Sequence, residues 1–287
     1  MGSFDQGMAG MVSLRAVNEW IGVINSNLGG SNRTAYKATR VSFGGGVAQV
    51  VRDPRQDSNG IQIPDSTLVI QHTRLDFSQG TIIQDGELTH LAISGDGFFA
   101  VFNGNDPAPG YFDTSTNAYT GTALTLAQIN GSHKDSIFFT RDGDFRWTVF
   151  GNGQTILTTA AGFTVLGQDP LVAGQFRAIS RIGTGATYAA TINTVSGANN
   201  CVSVFRFNNN QALKFSKYGS TVFDSAQAGN AVAVTDVEVI QSGLESSNAA
   251  LNDTLPELSL AQKMFSAVSK IINVHNSNLD TVVNLIR

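Results

Sequence analysis

The sequence predicts an α+β protein whose terminal helices pair as a coiled-coil-like core, with a mostly antiparallel β domain inserted between them. Two observations predict this fold class. Apolar residues recur at heptad spacing near both ends of the chain, and short apolar runs alternate with turn residues in between. The predicted boundaries are 1–40 for an N-terminal core helix and cap, 41–78 for an extended connector, 79–245 for a β-rich outer domain, and 246–287 for a C-terminal core helix packed with 1–40.

The N-terminal helix is predicted from an apolar row at alternating steps of three and four residues. This row consists of Leu14, Val17, Ile21, Ile24 and Leu28. Such spacing is typical of the a and d positions of a coiled coil. Gly29 and Gly30 follow the row and should end the helix, because glycine readily adopts the left-handed cap conformation.

The C-terminal helix has the most regular pattern in the chain. Leu258, Phe265, Ile272, Leu279 and Ile286 are spaced seven residues apart. Ala261, Val268 and Val282 fill most of a companion row, which His275 interrupts. We expect a helix over 254–286, capped by Asp253 or Thr254, with Pro256 in its first turn. The pattern indicates a single apolar face, which favours packing between copies over packing on the chain's own β domain.

The middle of the chain has the pattern of short antiparallel strands. Apolar runs at 68–70, 91–93, 98–102, 137–139, 202–207 and 232–240 predict strands. Turn residues separate them, among them Gly95-Asp96-Gly97 and Asp142-Gly143. Strands of this length and spacing favour a sandwich or barrel-like body. The stretch 41–66 has few apolar anchors and is predicted to be an extended connector.

The composition excludes several classes of protein. Only 14% of residues are charged and the net charge is −4, which argues against nucleic-acid binding. A surface with so few charges favours extensive coverage by other subunits. No apolar run is long enough to span a membrane, and the N-terminus lacks the basic start of a cleavable secretory signal.

The sequence contains no recognisable catalytic or cofactor-binding motif. Cys201 is the single cysteine, so no disulfide framework or multi-cysteine metal site is possible within one chain. The four histidines lack metal-ligand spacing, and Asp142-Gly143-Asp144 and Asp96 resemble only fragments of a calcium loop. We therefore predict no enzyme activity, no metal, no cofactor and no small-molecule substrate.

Three blocks of sequence resemble the flagellar rod and hook axial proteins, most closely the distal-rod type. Residues 25–37 are similar to that family's N-N-L-A-N…G-[FY]-K signature. Residues 73–82, 91–101 and 139–145 are similar to its F-x-Q-G-x-[IL]…G-x-G-F-F-x-V…T-R-D-G-x-F pattern. Residues 241–248 resemble its G-x-[LV]-E-x-S-N-V segment. Ala35 stands where the family usually has glycine, and Gly29-Gly30 replaces its Ala-Asn.

The resemblance implies a structural subunit of a hollow helical axial filament that transmits torque or forms an export conduit. It implies partners of three kinds: further copies of the chain, other rod or hook axial proteins, and the export apparatus with its assembly cap. It also implies type III export without a cleaved signal, to the flagellar basal body and envelope or the cell exterior. The ten heptad residues Leu14, Val17, Ile21, Ile24, Leu28, Leu258, Phe265, Ile272, Leu279 and Ile286 are predicted to form the polymerisation seam.

Two other readings remain open at this point. The same architecture could build a non-flagellar extracellular filament, or a surface adhesin that binds ligands through Trp147, Tyr188 or Tyr218. A β-rich hydrolase is the remaining class, and the absent catalytic motifs argue against it.

Overall fold

The computed structural model describes residues 2–45, 49–52, 61–63, 67–103, 112–113, 118–119, 124–149, 155–168, 174–181 and 201–285. Helix α1 spans Gly2–Gly30, α2 spans Leu126–Asn130 and α3 spans Leu251–Leu285. The chain divides into two compact units. We call residues 1–31, 38–76 and 249–287 the helical unit, and residues 32–37 and 77–248 the β unit. The predicted domain boundaries stay a prediction.

The helical unit contains four strands besides α1 and α3. They are β1 (Thr39–Gly45), β2 (Gln49–Arg52), β3 (Ile61–Ile63) and β4 (Leu68–Leu75). β1 pairs antiparallel with β4, and β2 pairs antiparallel with β3. The described residues of the segment predicted as an extended connector are thus mostly in strands paired in two ladders.

The end of α1 is fastened to β1 by one asparagine. The buried Asn27 side chain donates to the Thr39 carbonyl at 2.8 Å and accepts the Thr39 N–H at 2.9 Å. Further up the helix, Trp20 meets Phe43 of β1 edge to face, with ring centroids 5.2 Å apart. Ser13 accepts the Leu68 N–H of β4 at 2.9 Å. One side of α1 therefore packs on the β1–β4 ladder.

The predicted coiled-coil-like pairing of the terminal helices is wrong. Coiled coils bury the large side chains of their a and d positions. Among the described seam residues, only Val17 and Ile24 are buried, and Phe265 remains 36% exposed. The buried residues of α3 are instead Thr254 and Ala261. The physical reason is that heptad spacing identifies side chains on one face without identifying what covers that face, and the β1–β4 ladder takes part of the α1 surface.

The ends of the helices agree only partly with the sequence pattern. α1 ends at Gly30, as the glycine pair predicts. α3 begins at Leu251, three residues before the predicted Thr254, so Pro256 lies inside the helix rather than in its first turn. The described part of the chain has no helix that is long and apolar enough to cross a membrane.

The β unit holds the remaining strands and α2. Its first strands are β5 (Ile82–Gln84), β6 (Leu91–Ser94), β7 (Phe98–Phe102), β8 (Phe112–Asp113), β9 (Ala118–Tyr119), β10 (Leu124–Thr125), β11 (Ile137–Thr140) and β12 (Phe145–Val149). The later ones are β13 (Thr155–Thr159), β14 (Thr164–Gln168), β15 (Gln175–Ala178), β16 (Ser180–Arg181), β17 (Cys201–Val202), β18 (Val204–Arg206), β19 (Lys214–Ser216), β20 (Gly219–Asp224), β21 (Val232–Val234), β22 (Glu238–Gln241) and β23 (Gly243–Glu245). Strands appear at all six predicted runs.

A large antiparallel sheet forms the body of the β unit. Strand β7 lies at its centre and pairs with β11, β14 and β18. All five residues of β7, Phe98–Phe102, are buried. Buried aliphatic and aromatic side chains from β6, β11 to β14, β18, β20 and β22 pack into one cluster with those of β7. The packed core of the described chain therefore lies in this antiparallel body.

Two small ladders complete the β unit. β22 pairs with β6, and β23 pairs with β5. The returning chain thus lies against the first strands of the unit just before it leaves toward α3. This arrangement places Glu245, the last residue of β23, among residues from the start of the unit.

Candidate functional site: a buried charge cluster and an exposed helix face

A buried carboxylate lies where the three family-like sequence blocks meet. The Glu245 side chain is 0% exposed. Its Oε1 accepts hydrogen bonds from the Lys37 ammonium at 2.7 Å and from the Gly80 N–H at 2.8 Å. Its Oε2 accepts one from Arg141 Nη1 at 3.1 Å. Lys37, Arg141 and Glu245 each come from a different block. The three family-like blocks are therefore joined in this chain by one cluster of ion pairs.

Backbone carbonyls add one hydrogen bond to each cation, and the buried Arg141 Nε is left without a partner among the described residues. Lys37 Nζ also donates to the Ser78 carbonyl at 2.8 Å, and Arg141 Nη2 donates to the Gly95 carbonyl at 2.5 Å. The Arg141 guanidinium lies 5.6 Å from the centroid of the Phe98 ring. Buried ions are tolerated when they are paired and hydrogen-bonded in this way. The arrangement fixes the chain at 37, 78–80, 95, 141 and 245, and we assign it a structural role.

The entering and leaving segments also bind each other through the backbone. Ala35 N–H donates to the Glu245 carbonyl at 2.7 Å, and Asn248 N–H donates to the Tyr36 carbonyl at 3.2 Å. Ala35 has a φ of 52°, in the left-handed region that glycine adopts with least strain. Ala35, which stands where the family usually has glycine, therefore has a backbone conformation typical of glycine.

A second group of carboxylates lies beside this cluster. Asp142 Oδ1 accepts the Thr34 hydroxyl at 2.8 Å, and burial raises the pKa of Asp142. His90 Nδ1 pairs with Asp85, and this hydrogen bond lowers the pKa of Asp85. His90 Nε2 lies 3.4 Å from Asp144. Among the described residues no three His, Cys, Asp or Glu side chains are grouped to hold a metal ion.

The predicted polymerisation seam occupies mixed environments. Val17 and Ile24 are buried, while Phe265 is exposed. The half-buried members are Leu14, Ile21, Leu28, Leu258, Ile272 and Leu279. Ile286 lies outside the described residues. Whether these residues form a polymer seam stays a prediction.

Helix α3 carries a second apolar face that the sequence analysis missed. We define it by Leu260, Met264, Ala267, Ile271, Val274 and Leu285. Leu260, Ile271, Val274 and Leu285 each keep more than half of their surface exposed, as do Val282 and Val283. The signal was available, because 260, 264, 267, 271 and 274 alternate steps of four and three. The seven-residue row beside it is the more regular of the two patterns.

A cavity of about 370 Å³ lies beside this face, between α1 and α3. Gly10 and Ser13 line one side, and Val268, Ile271 and His275 are among the residues on the other. A Cβ added to Gly10 would lie 2.8 Å from Ile272 Cγ1, so the helices are close here. His275 Nε2 is buried without a hydrogen-bond partner among the described residues.

The aromatic residues proposed for an adhesin do not form an exposed platform. Trp147 and Tyr218 are partly buried and pack against the core cluster of the β unit. Tyr188 lies outside the described residues. The described aromatic side chains that we proposed for ligand binding are thus part of the packing of the sheet.

Comparison with known proteins gives one informative match. No family model matches the chain. The chain is 27% identical, over 303 aligned residues, to the flagellar basal-body rod protein FlgG of Bacillus subtilis (strain 168), and the alignment covers 99% of each protein.

This match supports assignment of the chain to the flagellar rod and hook axial proteins. The resemblance recognised from the three motif blocks is thereby confirmed. The similarity points to a structural protein of the flagellar basal body.

Proposed function

We propose that this chain is a rod-type subunit that self-assembles into a hollow helical axial filament, which transmits torque or forms an export conduit. The observation that carries the proposal is the second apolar face of α3, which a single chain leaves exposed. Large contiguous apolar surfaces of this kind mark sites of protein association. The similarity to a rod protein over the whole chain supports the same reading.

Assembly would be driven by covering this face with helices of neighbouring copies. Complete burial of one large apolar side chain contributes about 1.5–3 kcal/mol. Leu260, Ile271, Val274 and Leu285 are each partly covered already, so covering the rest offers about two to three times that amount before the cost of ordering is subtracted. A head-to-tail contact that does not close into a ring generates a helical filament. The ten predicted seam residues are proposed to contribute their uncovered surface to the same contacts.

The other partners and the location follow from the family. We propose that the polymer joins other rod or hook axial proteins, that the export apparatus delivers the chain without a cleaved signal, and that a cap directs assembly. The subunit would then lie in the basal body, within the envelope or at the cell exterior.

Replacing Ile271 by aspartate tests the proposal. Ile271 is 65% exposed, so Ile271→Asp should leave the single chain folded. A charge in the centre of an apolar contact should raise the concentration needed for assembly by about a hundredfold or more. The measurement is the pelleted fraction over a concentration series, with electron microscopy of the pellet.

Asn273→Asp is the matched control, because Asn273 is exposed and all its neighbours three and four residues away on α3 are polar: Ser269, Lys270, Asn276 and Ser277. It adds the same charge and should assemble like the wild type. Filaments of normal length and yield from Ile271→Asp would remove the second apolar face from the mechanism.

A further inference from the structure

One path through the described part of the large sheet ends in an edge strand at each side. The strands pair in the order β21, β18, β7, β11, β20, β19. Among the described strands, β19 pairs only with β20, and β21 pairs only with β18. Edge strands present unpaired N–H and C=O groups, which can accept a strand from another chain. The Asn130 side chain already binds the N–H and C=O of Ala231, the residue before β21, so strand pairing at that edge would be confined to β21 itself.

Each edge presents one large apolar side chain. Phe215 of β19 is 41% exposed and stacks on Phe223 with ring centroids 5.6 Å apart. Val232 of β21 is 46% exposed. An aromatic and a β-branched side chain form a favourable pair across adjacent strands. Each edge thus offers the other an apolar side chain as well as backbone N–H and C=O groups.

The β19 edge is basic. Lys214 and Lys217 are both exposed, and the Lys217 ammonium lies 4.9 Å from the centroid of the Tyr218 ring. Asp224 lies opposite Lys214 in the strand register, but its carboxylate accepts the Ala226 N–H at 2.8 Å. Lys214 takes part in none of the ion pairs among the described residues. Its charge is therefore available to a partner.

The β21 edge is acidic. Asp236 lies two residues after β21 and Glu238 begins β22, and both are exposed, as is Asp96. Arg206 lies 3.3 Å from the Asp236 carboxylate and 3.4 Å from the Asp96 carbonyl, which draws these segments together. Of the three acidic side chains only the Asp236 carboxylate lies within ion-pair distance of Arg206, and three carboxylates outnumber one guanidinium, so the net charge of these exposed residues is negative. It complements the two lysines of the opposite edge.

We propose that the β19 edge of one copy docks on the β21 edge of the next, with Phe215 against Val232 and the lysines against Asp236 and Glu238. The proposal rests on the proposed filament and names a contact between its β units. The lysines also keep two β19 edges apart, since like charges repel across a strand pair. The contact is therefore head-to-tail, since it joins two different edges, and every copy in the filament would point in the same direction.

Charge reversal tests this contact in the full chain. The first variant is Lys214→Glu with Lys217→Glu, and the second is Asp236→Lys with Glu238→Lys. Each should raise the critical concentration for assembly at least about tenfold, because like charges would then face each other. A one-to-one mixture of the two variants, and the fourfold variant, should return to within about threefold of the wild type. Glu87→Lys, at an exposed position away from both edges, is the control and should have no effect.

The outcomes separate this contact from the filament itself. If both reversal variants assemble at the wild-type concentration, the edges do not dock, and the helix-driven filament stands. If they lose assembly and the mixture fails to restore it, a second copy is not the occupant of these edges. If the wild type forms no filament at any concentration, both the filament and the edge contact are overturned. Unchanged near-ultraviolet circular dichroism confirms that each variant is folded.

Discussion

Replacing Glu245 by alanine should destabilise the β unit by about 3–5 kcal/mol, because it leaves two buried cations without their carboxylate. Lys37 and Arg141 both bind Glu245, at 2.7 and 3.1 Å, and their side chains are 0% and 2% exposed. Neither cation can reach water without opening the unit. The Gly80 N–H loses its acceptor as well, which adds the cost of a buried unsatisfied donor.

The two tryptophans make this measurement specific to one unit. Trp20 lies on α1 and Trp147 lies on β12, so a Trp20→Phe background leaves Trp147 as the reporter of the β unit. Urea unfolding followed by Trp147 fluorescence then gives the free energy of unfolding of that unit. A single transition cannot be assumed for a chain with two units, which makes this separation necessary.

Two further variants test the cause of the loss. Lys37→Met should cost less than Glu245→Ala, because the pair of Arg141 with Glu245 remains. Asp236→Ala breaks an exposed pair with Arg206 and should cost less than about 1 kcal/mol. A loss below about 1 kcal/mol for Glu245→Ala would contradict the structural role of the cluster.

Replacing Gly143 by alanine should cost the β unit about 3 kcal/mol through overpacking and a displaced hydrogen bond. A Cβ at this position would lie 1.6 Å from the Leu91 carbonyl oxygen, which is backbone and cannot rotate away. The turn would have to move from β6, and the 3.1 Å bond from Leu91 N–H to the Gly143 carbonyl would be lost. The same Trp147 unfolding measurement checks the value.

Gly86→Ala separates steric clash from backbone strain. Gly86 has a φ of 82° but nothing within 4 Å of an added Cβ, so its replacement should cost about 1 kcal/mol from conformation alone. Gly143 is not among the glycines with positive φ, and its requirement is for space. Equal losses for the two variants would show that the close approach to Leu91 contributes nothing.

Local structure could be predicted from the sequence, because period and turn chemistry act over a few residues. The apolar run 98–102 became β7, and Gly29-Gly30 became the end of α1. The charge cluster could not be predicted in the same way. Lys37 and Arg141 are separated from Glu245 by 208 and 104 residues, and no periodic signal connects charges at such distances. The motif blocks indicated that these segments matter, and the structure shows that they meet.

The spacing of apolar residues along a helix also does not reveal which surface will cover them. The heptad rows predicted two helices, but their pairing as a coiled-coil-like core was wrong. Asn27 and Trp20 join α1 to β1, a contact that depends on strands the sequence presented as a connector. The second face of α3 was visible as spacing, yet its exposure depends on where α1 and the ladder lie.

Electron microscopy of the negatively stained chain over a concentration series tests the proposed assembly most directly, with a parallel sample that lacks residues 250–287. Truncation removes all of α3, and with it the second apolar face. We predict hollow filaments above a critical concentration for the full chain, and none for the truncated chain. Filaments that persist after truncation, or a full chain that remains monomeric at every concentration, would contradict assembly through this helix.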